Sequence, residues 1–69
     1  MEIFQISSRR FVAISKIPGS PARLLYECYK EPEAPSGWYL EGAPHYILGA
    51  STNQEAAQLY TQELRSKLA

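Results

Sequence analysis

The sequence predicts a small α+β domain: an antiparallel sheet of three to four strands with one C-terminal helix packed on one face. Short runs rich in β-branched and aromatic residues fill the first two thirds of the chain, and proline and glycine separate these runs. A clear helical period follows them. The 69 residues leave room for one domain, 1–69, and a chain of this size buries only about 60% of its unfolded surface.

The first half of the chain predicts a β-hairpin. Arg9–Ile17 is the best strand because β-branched and aromatic residues dominate it, and Leu24–Lys30 returns as its partner. Pro18 and Gly19 lie between them, and Gly19 can adopt the positive φ of a type II turn. Before the hairpin, Glu2–Ser7 predicts either a short strand or a terminal strap across the sheet.

The second half begins with a proline-rich loop, 31–37, which no strand can cross. Extended structure resumes at Trp38–Leu40 and is expected to stop at Gly42–Pro44, a segment rich in strand breakers. Tyr46–Leu48 then predicts a further short strand.

The segment Ser51–Leu68 predicts the helix. Thr52 and Glu55 have the spacing of a capping box. At 100° per residue the apolar side chains form one stripe, namely Ala56, Ala57, Tyr60, Leu64 and Leu68. Opposite this stripe lie Gln54, Gln58, Gln62 and Arg65.

Both faces of the predicted hairpin carry apolar side chains. In the second strand Leu25 and Tyr29 point one way, and the other way point Leu24, Tyr26 and Cys28. One helix can cover only one of these faces, and an uncovered face is normally polar. We therefore expect the second face to be covered by the N-terminal strap, by a second copy of the chain or by a partner.

Composition excludes several function classes. Seven basic residues balance seven acidic ones, so no polyelectrolyte partner is indicated by charge. The single Cys28 excludes an intrachain disulfide and favours a reducing compartment, the cytoplasm. No secretory signal or membrane-spanning run is evident, and we expect no membrane association.

The sequence contains few residues that could form a metal site or a catalytic site. Cys28 and His45 are the only soft ligands, and a zinc site needs about four ligands, or three and a water. Three acidic residues flank Trp38, namely Glu31, Glu33 and Glu41. Their positions in or beside a loop favour solvated charges over a catalytic pair of carboxylates. We expect no enzyme, no metal and no cofactor.

Basic residues lie on or beside the two best strands, interleaved with aromatic ones. Four of them are candidate nucleic-acid contacts, namely Arg9, Arg10, Lys16 and Arg23. The neutral balance of the chain opposes this interpretation, because DNA-binding modules usually carry a pronounced basic face. Charges that keep a strand edge soluble are the simpler explanation, and a negatively charged protein partner is a third alternative.

Two partial resemblances accompany these residues. The chain resembles the DNA-binding modules of phage integrase N-termini and AP2-type domains in three places. These are Tyr26–Pro32, Leu48–Gly49 and a helix with Glu55–Ala57 and Tyr60. This resemblance implies a sheet that enters the major groove. Separately, Pro35–Trp38 resembles the Pro-x-Gly-Trp of the MbtH-like proteins, which implies an adenylation-domain partner. The basic surplus of the former and the Ser-Leu-Trp-Pro strand of the latter are missing, so no family is assigned.

The leading prediction is a non-catalytic protein-interaction or regulatory module. It would bind a protein partner or a second copy through an aromatic, apolar sheet face, with Tyr29, Trp38 and Tyr39 as the contact residues. The alternative is a sheet-based DNA-binding module that uses the four basic residues named above.

Overall fold

A computed structural model describes residues 1–68, except for the side chain of Leu68. It contains four strands followed by one helix: β1 (Glu2–Ser7), β2 (Arg10–Lys16), β3 (Arg23–Lys30), β4 (Trp38–Ile47) and α1 (Asn53–Leu68). The strands form one antiparallel sheet in the order β1-β2-β3-β4, so each strand pairs with its neighbour in the chain. The predicted α+β class, with one C-terminal helix on a small antiparallel sheet, is confirmed.

The turn between β2 and β3 has the predicted chemistry. Gly19 has a φ of 74°, and the backbone N–H of Ser20 donates a 3.1 Å hydrogen bond to the carbonyl of Ile17. Proline at the second position and glycine with positive φ at the third are the requirements of a type II turn. The hairpin geometry therefore follows from two residues.

The prediction for β4 is wrong in one respect: the chain does not leave the sheet at Gly42–Pro44. A single ten-residue strand runs from Trp38 to Ile47. Pairing with β3 is regular on both sides of a bulge, in which residues 42–44 lie opposite Tyr26 alone. Gly42 has a φ of 73°, which lets the strand kink and resume its pairing.

Of the two alternatives for the N-terminus, the short strand is confirmed and the strap across the sheet is wrong. Residues 2–7 form β1, which lies at the sheet edge beside β2, with Ile3 paired to Ala13 and Phe4 to Val12. The N-terminal segment thus extends the sheet sideways and adds no layer to its second face.

The helix begins at Asn53, two residues after the predicted start. The hydroxyl of Thr52 accepts a 3.1 Å hydrogen bond from the backbone N–H of Glu55, as an N-cap requires. The Glu55 carboxylate accepts a hydrogen bond of 3.1 Å from the hydroxyl of Ser51, so it reaches the residue before the cap. The polar stripe is exposed as predicted, namely Gln54, Gln58, Gln62 and Arg65. The predicted apolar position at Leu68 lies outside the described side chains.

The hydrophobic core lies between the sheet and α1. Val12, Ile14 and Leu25 are fully buried in it, each contributing roughly 1.5–3 kcal/mol by burial. They pack with one further sheet residue and three from the helix, namely Ile47, Ala56, Ala57 and Tyr60. Within residues 1–68 no helix is long and apolar enough to cross a membrane.

Candidate interaction surface

The sheet face opposite α1 is a candidate interaction site. Because Val12, Ile14 and Leu25 point toward the helix, the residues that alternate with them point away from it. We call this surface the open face. Its apolar and aromatic residues are Ile3, Phe11, Ala13, Leu24, Tyr26, Cys28, Trp38, Leu40 and Tyr46. Gln5, Ser15 and Lys30 complete it.

The open face is a continuous surface because its side chains meet across neighbouring strands. Phe11 pairs with Cys28, which in turn pairs with Leu40, and the rings of Phe11 and Trp38 lie 5.2 Å apart between centroids. Tyr46 pairs with Leu24 in a second row and is 65% exposed. Neither the helix nor any other strand of residues 1–68 forms a second layer over this face.

Charge is nearly absent from the open face. Lys30 is its single charged residue, and it lies at the end of β3. The hydroxyls of Tyr26 and Tyr46 and the indole N–H of Trp38 supply polar groups that large aromatic side chains can present at an interface. Aromatic enrichment with depletion of charge is the composition found at the centre of protein–protein interfaces.

The predicted contact residues Tyr29, Trp38 and Tyr39 do not share one surface. Trp38 lies on the open face, whereas Tyr29 and Tyr39 pair across β3 and β4 on the helix side. Their ring centroids are 5.1 Å apart, and both side chains are about half exposed, so α1 does not cover them. Desolvation raises the pKa of Tyr29, with smaller contributions from Tyr39, Glu31 and Glu41.

Leu40 and Tyr46 are not among the contact residues predicted from the sequence. Both belong to the open face because β4 continues through its bulge, in which three residues of β4 lie opposite one residue of β3. The available signal was alternation: Leu40 and Tyr46 are an even number of residues from Trp38, so one continuous strand places all three on the same face.

The four basic candidates occupy two opposite ends of the sheet. Arg9 and Arg10 lie at one end of β2, and Lys16 pairs with Arg23 at the other end, about 20 Å away. By alternation with the core residue Val12, the side chains of Arg10 and Lys16 lie on the helix side. The four therefore do not form one basic surface on the open face.

Two of these arginines are held by structural contacts. The Arg10 guanidinium forms a 2.8 Å ion pair with the Glu27 carboxylate. Arg23 donates hydrogen bonds to the side-chain oxygen of Asn53 at 2.6 Å and to the carbonyl of Ser51 at 2.9 Å. Arg23 thus fastens the start of α1 to β3, because it satisfies acceptors at the helix N-terminus and in the preceding loop.

Glu27 is the centre of a small polar cluster that joins three elements. One of its carboxylate oxygens accepts hydrogen bonds from Arg10, and the other accepts a 2.8 Å bond from the hydroxyl of Tyr60. Burial and this hydrogen bond raise the pKa of Tyr60 to about 12. Every polar partner is satisfied within the fold, which indicates a structural role for the cluster.

Cys28 and His45 lie on opposite faces of the sheet and cannot bind one ion together within a single chain. Cys28 belongs to the open face, whereas the His45 ring lies 5.0 Å from that of Tyr60 on the helix side. Burial raises the pKa of the Cys28 thiol, and the Glu27 carboxylate raises it further, so the reactive thiolate is disfavoured. No three His, Cys, Asp or Glu side chains come together within residues 1–68.

A groove of about 360 Å³ runs between β1 and α1. Its floor includes Phe4, Ile6 and Ala57, its rim is formed mainly by the amide side chains of Gln54, Gln58 and Gln62, and Gln5 borders it on the edge strand. Thr61 and Arg65 complete the lining. Amides are poor acids and bases, so this lining offers hydrogen bonds and no nucleophile–base pair.

Comparison with known proteins gives no family to which the chain could be assigned: no family, no curated protein and no solved structure matches it.

Proposed function

We propose that this chain is a non-catalytic interaction module that binds a protein surface through its open face. One observation carries the proposal: α1 covers one side of the sheet and leaves a continuous, almost uncharged aromatic surface on the other. Antiparallel sheets that face water on one side normally place polar residues there. An apolar open face is instead typical of a surface that another molecule covers.

The residue types on the open face suit a protein partner. Tyrosine and tryptophan are enriched among the residues that dominate binding energy, because each presents a large rigid surface with one polar group. Tyr46 and Leu40 are exposed at 65% and 37%, so their apolar surface is available to a partner. Burying it would contribute about 25 cal/mol for each Å² removed from water.

A nucleic-acid partner fits the open face less well. Binding to phosphates depends on lysine and arginine side chains, and Lys30 is the single cation there. Arg10 and Arg23 are committed to Glu27 and to the start of α1. DNA binding remains the alternative proposal, with Arg9 and Lys16 as its exposed cations.

A photo-crosslinking experiment in the organism's own cells tests the proposal. Tyr46 is replaced by the photoreactive residue benzoylphenylalanine, and a control chain carries the same residue at Gln58, on the exposed stripe of α1. The proposal predicts protein adducts from position 46 that exceed those from position 58. Equal or absent adducts at position 46 would reject the open face as a protein-binding surface.

A further inference from the structure

We infer that the molecule covering the open face is a second copy of this chain, with the two open faces packed against each other. The inference rests on the proposed function and names its partner. The resulting dimer would have two sheets at its centre and the two α1 helices outside. Four observations support it: the surface area of the chain, the size of the open face, its charge and the small core of one chain.

The chain exposes more surface than a compact monomer of its mass. Its accessible surface is 4894 Å², whereas a folded monomer of 7.8 kDa exposes about 4,400 Å². The excess is therefore about 500 Å². The molecule is also flat, with extents of 35 × 34 × 19 Å, as expected for one sheet with a single covering layer.

The open face has the area that a weak dimer needs. Four strands at about 4.8 Å spacing span about 19 Å, and seven or eight residues along β2 and β3 span about 25 Å. The face therefore covers about 500 Å². Two copies would bury about 1,000 Å² in total, the lower limit for a specific interface. A dimer that dissociates on dilution is the expected result.

Charge favours a second copy over a partner selected by electrostatics. In a two-fold symmetric interface each residue faces the same surface of the other copy, so a charged face would repel itself. The open face carries Lys30 alone, at the end of β3, and no acidic residue. Like charges are therefore kept away from the centre of the interface, where Tyr26 and Ala13 are paired.

Dimerisation would also compensate for the small core of one chain. Chains of this size seldom obtain more than roughly 3–5 kcal/mol from a single core, and association with a second copy is a common addition. Packed sheets lie about 10 Å apart with interdigitated side chains, a distance that large side chains such as Tyr26, Trp38 and Tyr46 can fill. The dimer would thus create a second core between the sheets.

Sedimentation equilibrium of the purified chain from about 1 μM to about 1 mM tests the inference. Tyr46→Lys places a cation in the interface, and Tyr39→Lys is the matched control: it changes the same residue type on the same strand, also well exposed, on the helix side. We expect a concentration-dependent dimer, weakened about tenfold or more by Tyr46→Lys and unchanged by Tyr39→Lys. Circular dichroism checks folding, and Leu40→Lys replaces Tyr46→Lys if the latter unfolds.

Two results would overturn the inference. One is a wild-type monomer over the whole concentration range. The other is a dimer that Tyr46→Lys leaves intact or that Tyr39→Lys weakens equally. A purified monomer whose position 46 still crosslinks to another protein in cells would remove the second copy and retain the proposed function. A monomer without adducts at position 46 would remove both.

Discussion

The hydroxyl of Tyr60 donates a 2.8 Å hydrogen bond to the carboxylate of Glu27, which joins the middle of α1 to β3. Tyr60 is 3% exposed, so its hydroxyl needs this partner within the protein. Arg10 neutralises the same carboxylate from β2. The cluster thereby helps hold the helix on one face of the sheet and leaves the opposite face open.

Removing the shared acceptor should destabilise the fold more than removing one donor. Glu27→Ala leaves the buried Tyr60 hydroxyl and the Arg10 guanidinium without their partner, and we expect a loss of about 1–3 kcal/mol. Tyr60→Phe removes one hydrogen bond and should cost about 1 kcal/mol. Urea unfolding at one fixed chain concentration measures both variants. A Glu27→Ala chain as stable as Tyr60→Phe would contradict the shared-acceptor role.

The burial of Tyr60 and its hydrogen bond to Glu27 predict a loss of stability at alkaline pH. The pKa of Tyr60 is raised from 10.0 to about 12 in the folded chain, so folding favours the protonated hydroxyl. This contribution is fully present below pH 10 and is lost as the pH rises toward 12. By pH 11 the loss should reach about 1.4 kcal/mol.

Urea unfolding between pH 8 and 11 measures this effect, with Tyr60→Phe as the control. Every other side chain is the same in the two chains, so the difference between them isolates Tyr60. The wild-type chain should lose stability faster than the variant. Parallel curves would show that Tyr60 ionisation is not linked to folding.

The main elements of the fold could be predicted from local sequence signals. The helix period, the Thr52 cap and the Pro18–Gly19 turn each depend on residues close together in the chain. The position of Glu2–Ser7 could not be resolved in this way, because an apolar segment can pair at an edge or cross a face. Only the partner strand β2 determines which of these occurs.

The candidate site was harder to predict than the fold. The second apolar face was recognisable from the alternation of Leu24, Tyr26 and Cys28. Its full extent depends on the pairing of β3 with β4, and Gly42 and Pro44 are residue types that normally interrupt such pairing. The separation of Trp38 from Tyr39 follows from adjacent positions on a strand, because neighbouring side chains point to opposite faces.

The bulge in β4 gives a prediction about Gly42. A Cβ at this position would meet no atom within 4 Å, but the φ of 73° is unfavourable for any residue with a side chain. Gly42→Ala should therefore destabilise the chain by about 1–2 kcal/mol through backbone strain alone. Gly42→Asn, which tolerates this region better, should cost less. Urea unfolding compares the two, and an alanine variant as stable as wild type would exclude strain at the bulge.

Arg23 gives a test of how α1 is attached. Its guanidinium donates to the carbonyls of Ala50 and Ser51 and to the side chain of Asn53. Lysine keeps the charge but lacks the planar arrangement of donors. Arg23→Lys should therefore lose about 1–2 kcal/mol of stability by urea unfolding. Arg9→Lys is the matched control, because Arg9 lies in an exposed turn and its replacement should have little effect on stability. Equal losses of stability in the two variants would contradict the anchoring role of Arg23.

DNA binding by the four basic residues can be tested by its dependence on salt. In a plot of the logarithm of the binding constant against the logarithm of the salt concentration, each phosphate contact contributes about −0.9 to the slope. Four contacts therefore predict a slope of about −3.6. Arg10 and Arg23 are engaged within the fold, and contacts from Arg9 and Lys16 alone give a slope of at most about −2. Fluorescence anisotropy with a random DNA duplex at several salt concentrations measures the slope.

We expect weak or no binding at low salt. A steep slope that Arg9→Ala and Lys16→Ala each reduce by about one unit would instead favour the DNA-binding alternative, because only direct phosphate contacts have that signature.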